Sequence, residues 1–132
     1  MGLFCFGLSH QTATLDVREK FAFPDAILST ALAQLKAMPE VTEGVIISTC
    51  NRTEFYVSGE LADKSAPALF ENFYRDFRGE DERNLFRLSG NDCVRHLFRV
   101  VCGLESMVVG ETEIFGQVKR AYQYATDAGT VG

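Results

Sequence analysis

A chain of 132 residues with 46% apolar, 23% charged and 11% aromatic side chains has the profile of one soluble globular domain, which excludes disordered, collagen-like and low-complexity classes. Thirteen basic against eighteen acidic side chains, a net charge of -5, exclude a nucleic-acid module that binds on charge alone, because neutralising phosphates needs a basic face. No apolar run reaches the ~18 residues of a membrane span, and Met1-Gly2-Leu3-Phe4-Cys5-Phe6-Gly7 lacks the basic start and small-residue cleavage site of a signal peptide, so a reducing, cytoplasmic setting is expected.

Leu3-Phe4-Cys5-Phe6-Gly7-Leu8 reads as a short apolar strand. Asp16-Val17-Arg18-Glu19 has the spacing of a capping box and predicts a short helix near 17–22. Pro24 suits a first helical position. Ile27, Leu28, Ala31, Leu35 and Met38 then fall on one side of a helix that stops before Pro39. The β-branched run Val45-Ile46-Ile47 marks a strand over 43–49, and a tight connection at Cys50-Asn51-Arg52-Thr53 leads to a second strand, Glu54 to Ser58, ending at Gly59. Pro67 opens another amphipathic helix carrying Leu69, Phe70, Phe73 and Phe77, and Leu85-Phe86-Arg87-Leu88 is a brief last strand. The sum is βαββαβ with one extra short helix. That order predicts the α+β class and a ferredoxin-like antiparallel sheet with both helices on one face.

After Gly90 only helix is expected. Asn91 or Asp92 caps a helix with Val94, Leu97, Phe98 and Val101 on its apolar stripe. A glycine-punctuated stretch from Gly103 to Gly110 leads to a helix over about 112–127, with Ile114, Phe115, Val118, Ala121, Tyr122 and Ala125 along its stripe. The chain thus divides into a core over 1–90 and a helical extension over 91–132, and its abrupt end suggests a piece of a longer protein.

Chemistry concentrates at Ser48-Thr49-Cys50-Asn51-Arg52. A cysteine at the exit of a buried strand stands where loops hold reactive groups on a rigid base. Arg52 would favour thiolate over thiol, and Thr49 and Asn51 offer hydrogen bonds to a substrate. The competing reading is a small hydrophobe closing a strand, since free cysteine is mostly buried filler; Cys5, Cys93 and Cys102, in apolar surroundings, are assigned to the core. At ~100° per residue His96 points away from the stripe of its own helix. It is then either a solvated surface histidine or one facing a cleft toward the Cys50 loop, as general acid or base. His10 follows the first strand and is either a turn residue or a second histidine at the same site. Gly116 inside a helix hints at close approach by another backbone, and Gln117 at the stripe's edge can reach a site. The scattered cysteines and histidines give no metal spacing, and no GxGxxG, P-loop or GxSxG pattern occurs.

Together, Gly7-Leu8-Ser9-His10-Gln11-Thr12-Ala13, Arg18-Glu19-Lys20, Ser48-Thr49-Cys50-Asn51-Arg52-Thr53-Glu54, His96-Leu97-Phe98-Arg99-Val100, Gly103-Leu104-Glu105-Ser106-Met107-Val108-Val109-Gly110-Glu111 and Gly116-Gln117-Val118-Lys119 resemble the glutamyl-tRNA reductase family, in order and over nearly the whole chain. The resemblance implies a ferredoxin-like catalytic domain, a thioester mechanism and the first step of tetrapyrrole (porphyrin) synthesis. Cys50 would attack the ester joining glutamate to the tRNA 3′ end, and hydride from NADPH would reduce the thioester to glutamate-1-semialdehyde. Thr49, Asn51 and Arg52 would hold the glutamyl group, and His96 would assist proton transfer. Ser106, Glu111, Thr112, Glu113 and Gln117 match positions around the substrate pocket, with His10 a further candidate. Thr112 and Glu113 depart from the proline and glutamine common after the Gly-Glu pair, and Gln11 and Thr14 from a commoner lysine and proline. The NADPH and dimerisation domains would lie outside this chain, so the fragment alone would form the thioester and lose it to water. Expected partners are glutamyl-tRNA, a second copy in the longer protein, and glutamate-1-semialdehyde aminomutase, with no membrane and no metal.

Two other classes compete. One is a cysteine acyl-transferase or thiol hydrolase that needs no reductant. The other is an RNA-binding module of the same βαββαβ topology, which would need exposed aromatics on its central strands.

Overall fold

A computed structural model describes residues 2–39, 41–59, 85–102 and 113–131. In chain order these form β1 (Gly2–Ser9), α1 (Leu15–Phe21), α2 (Asp25–Lys36), β2 (Val41–Ser48), β3 (Arg52–Gly59), β4 (Phe86–Ser89), α3 (Asn91–Val101) and α4 (Glu113–Asp127). The class is α+β. The strands make a four-stranded sheet in the order β2-β3-β1-β4, every neighbour antiparallel. The helix expected to start at Pro67 and the glycine-punctuated stretch from Gly103 lie outside the described residues.

Strand alternation divides the apolar residues between two faces of the sheet. Phe6, Leu8, Ile46, Phe55 and Val57 point to one face, which Phe21 of α1, Phe23 and the α2 stripe Leu28, Ala31, Leu32 and Leu35 close. The rings of Phe6 and Phe55 stack there at 5.1 Å. Each buried leucine of α2 contributes about 1.5–3 kcal/mol, which outweighs that helix's lack of a side-chain cap. Cys5, Ile47 and Tyr56 point to the opposite face and meet Cys93 and Leu97 of α3 and Val118 and Ala121 of α4. Both faces are therefore covered. The helical extension supplies the second cover, and α4 belongs to both sides, through Ala125 on the first and Ala121 on the second.

Several local expectations change. Helix α1 starts at Leu15, with Thr14 rather than Asp16 at its cap, and Pro24 precedes α2 instead of opening it. Ile27 is exposed, because the α2 stripe is centred one residue further on, at Leu28. Gly90, not Asn91 or Asp92, caps α3; its φ of 58° is a conformation open to glycine, and its N–H donates to the Leu3 carbonyl at 2.9 Å. Among the described residues, a side chain at Gly116 would meet nothing within 4 Å. Gly7 is the glycine that close approach requires: a Cβ there would sit 2.1 Å from the Thr53 carbonyl oxygen on β3.

Candidate active site

Strands β2 and β3 join through the short turn that carries Cys50. The Thr49 N–H donates to the Arg52 carbonyl at 2.8 Å, and the Asn51 N–H donates to Thr49 Oγ1 at 3.1 Å. From outside the turn, the His10 N–H donates to the Asn51 carbonyl at 2.8 Å and Arg18 Nε to the Cys50 carbonyl at 3.3 Å. One residue before the turn, Ser48 Oγ accepts from the Phe23 N–H at 2.8 Å. The backbone is thus held from several sides while the Cys50 side chain stays exposed. That placement is the opposite of core filling.

Beyond the turn, Arg52, Glu54 and Tyr56 alternate along β3 and project to the face covered by α3. Glu54 is fully buried, and its carboxylate collects three partners. Arg52 Nη1 donates to Oε2 at 2.9 Å, His96 Nε2 lies 2.7 Å from the same oxygen, and the Tyr56 hydroxyl donates to Oε1 at 2.9 Å. A buried carboxylate without such partners would be prohibitively costly. Burial first, and then the Glu54 charge, push the Tyr56 hydroxyl far above its ordinary range, so it remains a donor. Phe86 packs against the His96 ring with centroids 5.0 Å apart. A carboxylate at Nε2 occupies that ring nitrogen and leaves Nδ1 as the other polar atom of the ring.

The inward face of α3 is turned from the expected stripe, of which Leu97 still packs inward. Cys93, His96, Leu97 and Val100 turn inward, whereas Val94 and Phe98 are exposed, Phe98 at 67%. The histidine is partly buried because Glu54 satisfies it, and the larger apolar residues border an open groove of about 460 Å³ with Arg95, Arg99 and Cys102. Cys102 is exposed, not a core residue; Cys5 and Cys93 are buried as expected. Burial, then hydrogen bonding with Cys93, raises the Cys5 thiol, and the same hydrogen bond lowers Cys93. Phe55 and Tyr56 are both buried. Strand β3 therefore lacks, at these two residues, the exposed aromatic platform on which RNA-recognition sheets stack bases.

Residues 6–132 match the family described as the glutamyl-tRNAGlu reductase N-terminal domain. The chain belongs to this family. A glutamyl-tRNA reductase of Akkermansia muciniphila is 44% identical over 98% of the chain and 38% of its own length, and one of Nitrosomonas europaea is 45% identical over 100% and 32%. The solved glutamyl-tRNA reductase from Methanopyrus kandleri superposes with a TM-score of 0.79 at 35% identity, covering 98% of this chain and 29% of that one. The chain spans about a third of the length of these relatives.

Against the glutamyl-tRNA reductase pattern, the structure brings Thr49, Cys50, Asn51 and Arg52 into one hairpin, with His10 bonded to it. His96 joins the base of that hairpin through Glu54. Gln117 lies on α4 beside the end of β2, lining a small cavity with Ser48, Ile46 and Arg120. Only the backbone of Glu113 is described, as the first residue of α4, and Ser106, Glu111 and Thr112 lie outside the described residues. Arg52 is 2% exposed and Nη1 is committed to Glu54. Glu54, Tyr56 and Arg18 were missed as contributors. For the first two a signal existed: Arg52, Glu54 and Tyr56 are spaced by two, which on a strand puts three polar groups on one face. No group of three or more potential metal ligands occurs among the described residues, and none of their helices is long and apolar enough to cross a membrane.

Proposed function

We propose that this chain is the glutamyl-binding, thioester-forming part of a glutamyl-tRNA reductase, built as a ferredoxin-like core over 1–90 with residues 91–132 completing the site. The exposed Cys50 on an immobilised turn is the observation that carries this reading. The thiolate attacks the ester carbonyl joining glutamate to the tRNA 3′ end; the C–S bond forms, the C–O bond breaks, and the departing ribose oxygen takes a proton. His96, its ring fixed by Glu54, assists that transfer. Thr49, Asn51 and Arg52 hold the glutamyl group, with Ser106, Glu111, Thr112, Glu113 and Gln117 around it and His10 supporting the turn. NADPH would supply hydride to the thioester carbonyl, and cleavage of the C–S bond would return the Cys50 thiolate and release glutamate-1-semialdehyde for tetrapyrrole synthesis. The residues of this chain do not fit that cofactor, since no glycine fingerprint is present, and it is assigned to a domain outside them. The same reading implies a cytoplasmic enzyme, dimeric in the longer protein, that passes its product to glutamate-1-semialdehyde aminomutase.

Mass spectrometry after rapid acid quench of a reaction with glutamyl-tRNA tests the reading. A hydroxylamine-labile glutamyl adduct on Cys50, lost in Cys50→Ser, is the expected result. No adduct on this chain or on the longer protein would overturn it. In the absence of the reductant domain the adduct is expected to decay to free glutamate; aldehyde formed by this chain with NADPH would contradict the division of labour.

A further inference from the structure

Two bonds tie the Cys50 turn to α1 and to the connection that precedes it. One is the backbone bond from His10 to Asn51 at 2.8 Å, and the other comes from Arg18, whose Nε donates to the Cys50 carbonyl at 3.3 Å. The same guanidinium donates through Nη1 to the Ala13 carbonyl at 2.9 Å. Two donors of a planar fork spent on two carbonyls fix its orientation, which a lysine ammonium does not reproduce. Arg52 is the nearer arginine in sequence, but it is buried with Nη1 on Glu54. Among the described residues, Arg18 is the cation seen bonded to the Cys50 backbone.

We propose that Arg18 is a positioning residue for Cys50: its fork pins the turn to α1 and holds a permanent positive charge against the residue that attacks the substrate. This rests on the reading of Cys50 as the nucleophile and adds to it a residue from a different element, α1.

Alkylation of the whole chain, resolved peptide by peptide by mass spectrometry, tests the proposal without tRNA. The quantity read is the rate at Cys50 with anionic iodoacetate divided by the rate with neutral iodoacetamide. A nearby cation raises this preference whatever the thiol's intrinsic reactivity. Arg18→Gln is expected to lower it about fivefold, roughly the factor one unit charge ~4 Å away exerts through water; Arg18→Lys is expected to retain it. Exposed Cys102 serves as an internal control that neither substitution moves, and buried Cys5 and Cys93 stay unlabelled while the variant is folded. An unchanged preference in a folded Arg18→Gln overturns the proposal. Should that variant unfold, the unsubstituted chain decides: added salt must reduce the anion preference at Cys50 by screening the cation, and a preference that stays or rises overturns it. A missing glutamyl adduct would sink the thioester reading and leave this result standing, and the reverse also holds.

Discussion

Glu54 divides one buried carboxylate among Arg52, His96 and Tyr56, and its charge balances a guanidinium that is itself 2% exposed. Glu54→Gln keeps the shape and removes the charge that the buried Arg52 guanidinium faces at 2.9 Å. A loss of about 3–5 kcal/mol is expected in urea unfolding, the scale for breaking one side of a buried pair. Tyr56→Phe removes one neutral donor and should cost about 1–3 kcal/mol. If both substitutions cost the same, the ion pair is not what Glu54 contributes. At this scale the sequence marks the candidate cysteine better than its surroundings. Cys50 stood out because polar residues flank it after a β-branched run. The stripe of α3 differs from the expected one because a wheel weighted by hydrophobicity selects Phe98 and Val94 for the inside. It does not register that a histidine paired with a buried carboxylate can occupy the inner face beside small Cys93 and Val100. Arg18 stands in one of the family-like stretches, but nothing local ties it to its partner Cys50, 32 residues away.

Among the elements, Gly7 and Gly90 serve for different reasons, and their substitutions separate them. Gly7→Ala would drive a Cβ into the β3 backbone, 2.1 Å from the Thr53 oxygen and 2.9 Å from the Glu54 Cα. Because both are backbone atoms, β1 and β3 must part, and thermal unfolding should register a loss larger than the ~1–3 kcal/mol typical of overpacking. Gly90→Ala meets open space and carries only the strain of a positive φ, 58°, at about 1–3 kcal/mol. Equal shifts in Tm would mean that the strand pair is not as close as described. Strand and helix positions were readable wherever periodicity ran for several residues, as in α2 and β2. Caps were less readable: Asp16 and Asn91 both have capping chemistry, yet Thr14 and Gly90 take those places because the chain direction is set by what precedes each helix. The covering of the second sheet face by α3 and α4 was not readable either, since pattern alone does not say which face an amphipathic helix will choose.

At the scale of the molecule, the segment after α4 closes the outer edge of β2. The Gly44 N–H donates to the Thr130 carbonyl at 2.9 Å, Thr130 is 2% exposed, and Lys36 of α2 donates to the Gly129 carbonyl. Deleting residues 128–132 should uncover that edge, speed hydrogen exchange at the Gly44 amide, and increase self-association through the open strand. Unchanged exchange would show that the edge is held elsewhere. Stability should also depend on alkaline pH. Folding raises the Cys5 thiol from an ordinary 9.0 and the Tyr56 hydroxyl from 10.0. The native state therefore keeps protons that the unfolded chain releases, and stability falls as pH climbs above about 9. Cys93 is lowered and acts in the opposite sense, adding stability between its folded value and 9.0. Urea midpoints should decline from pH 9 to 11, and Tyr56→Phe should flatten the upper half of that decline. The shared carboxylate of Glu54 has a consequence over generations as well. Because one side chain answers to three partners on two elements, a lineage cannot trade them away singly. Losing Glu54 removes the carboxylate paired with a buried cation, and losing Arg52 removes the guanidinium paired with a buried anion. Drift at positions 52, 54, 56 and 96 is therefore expected to be concerted, four residues inherited as a single character.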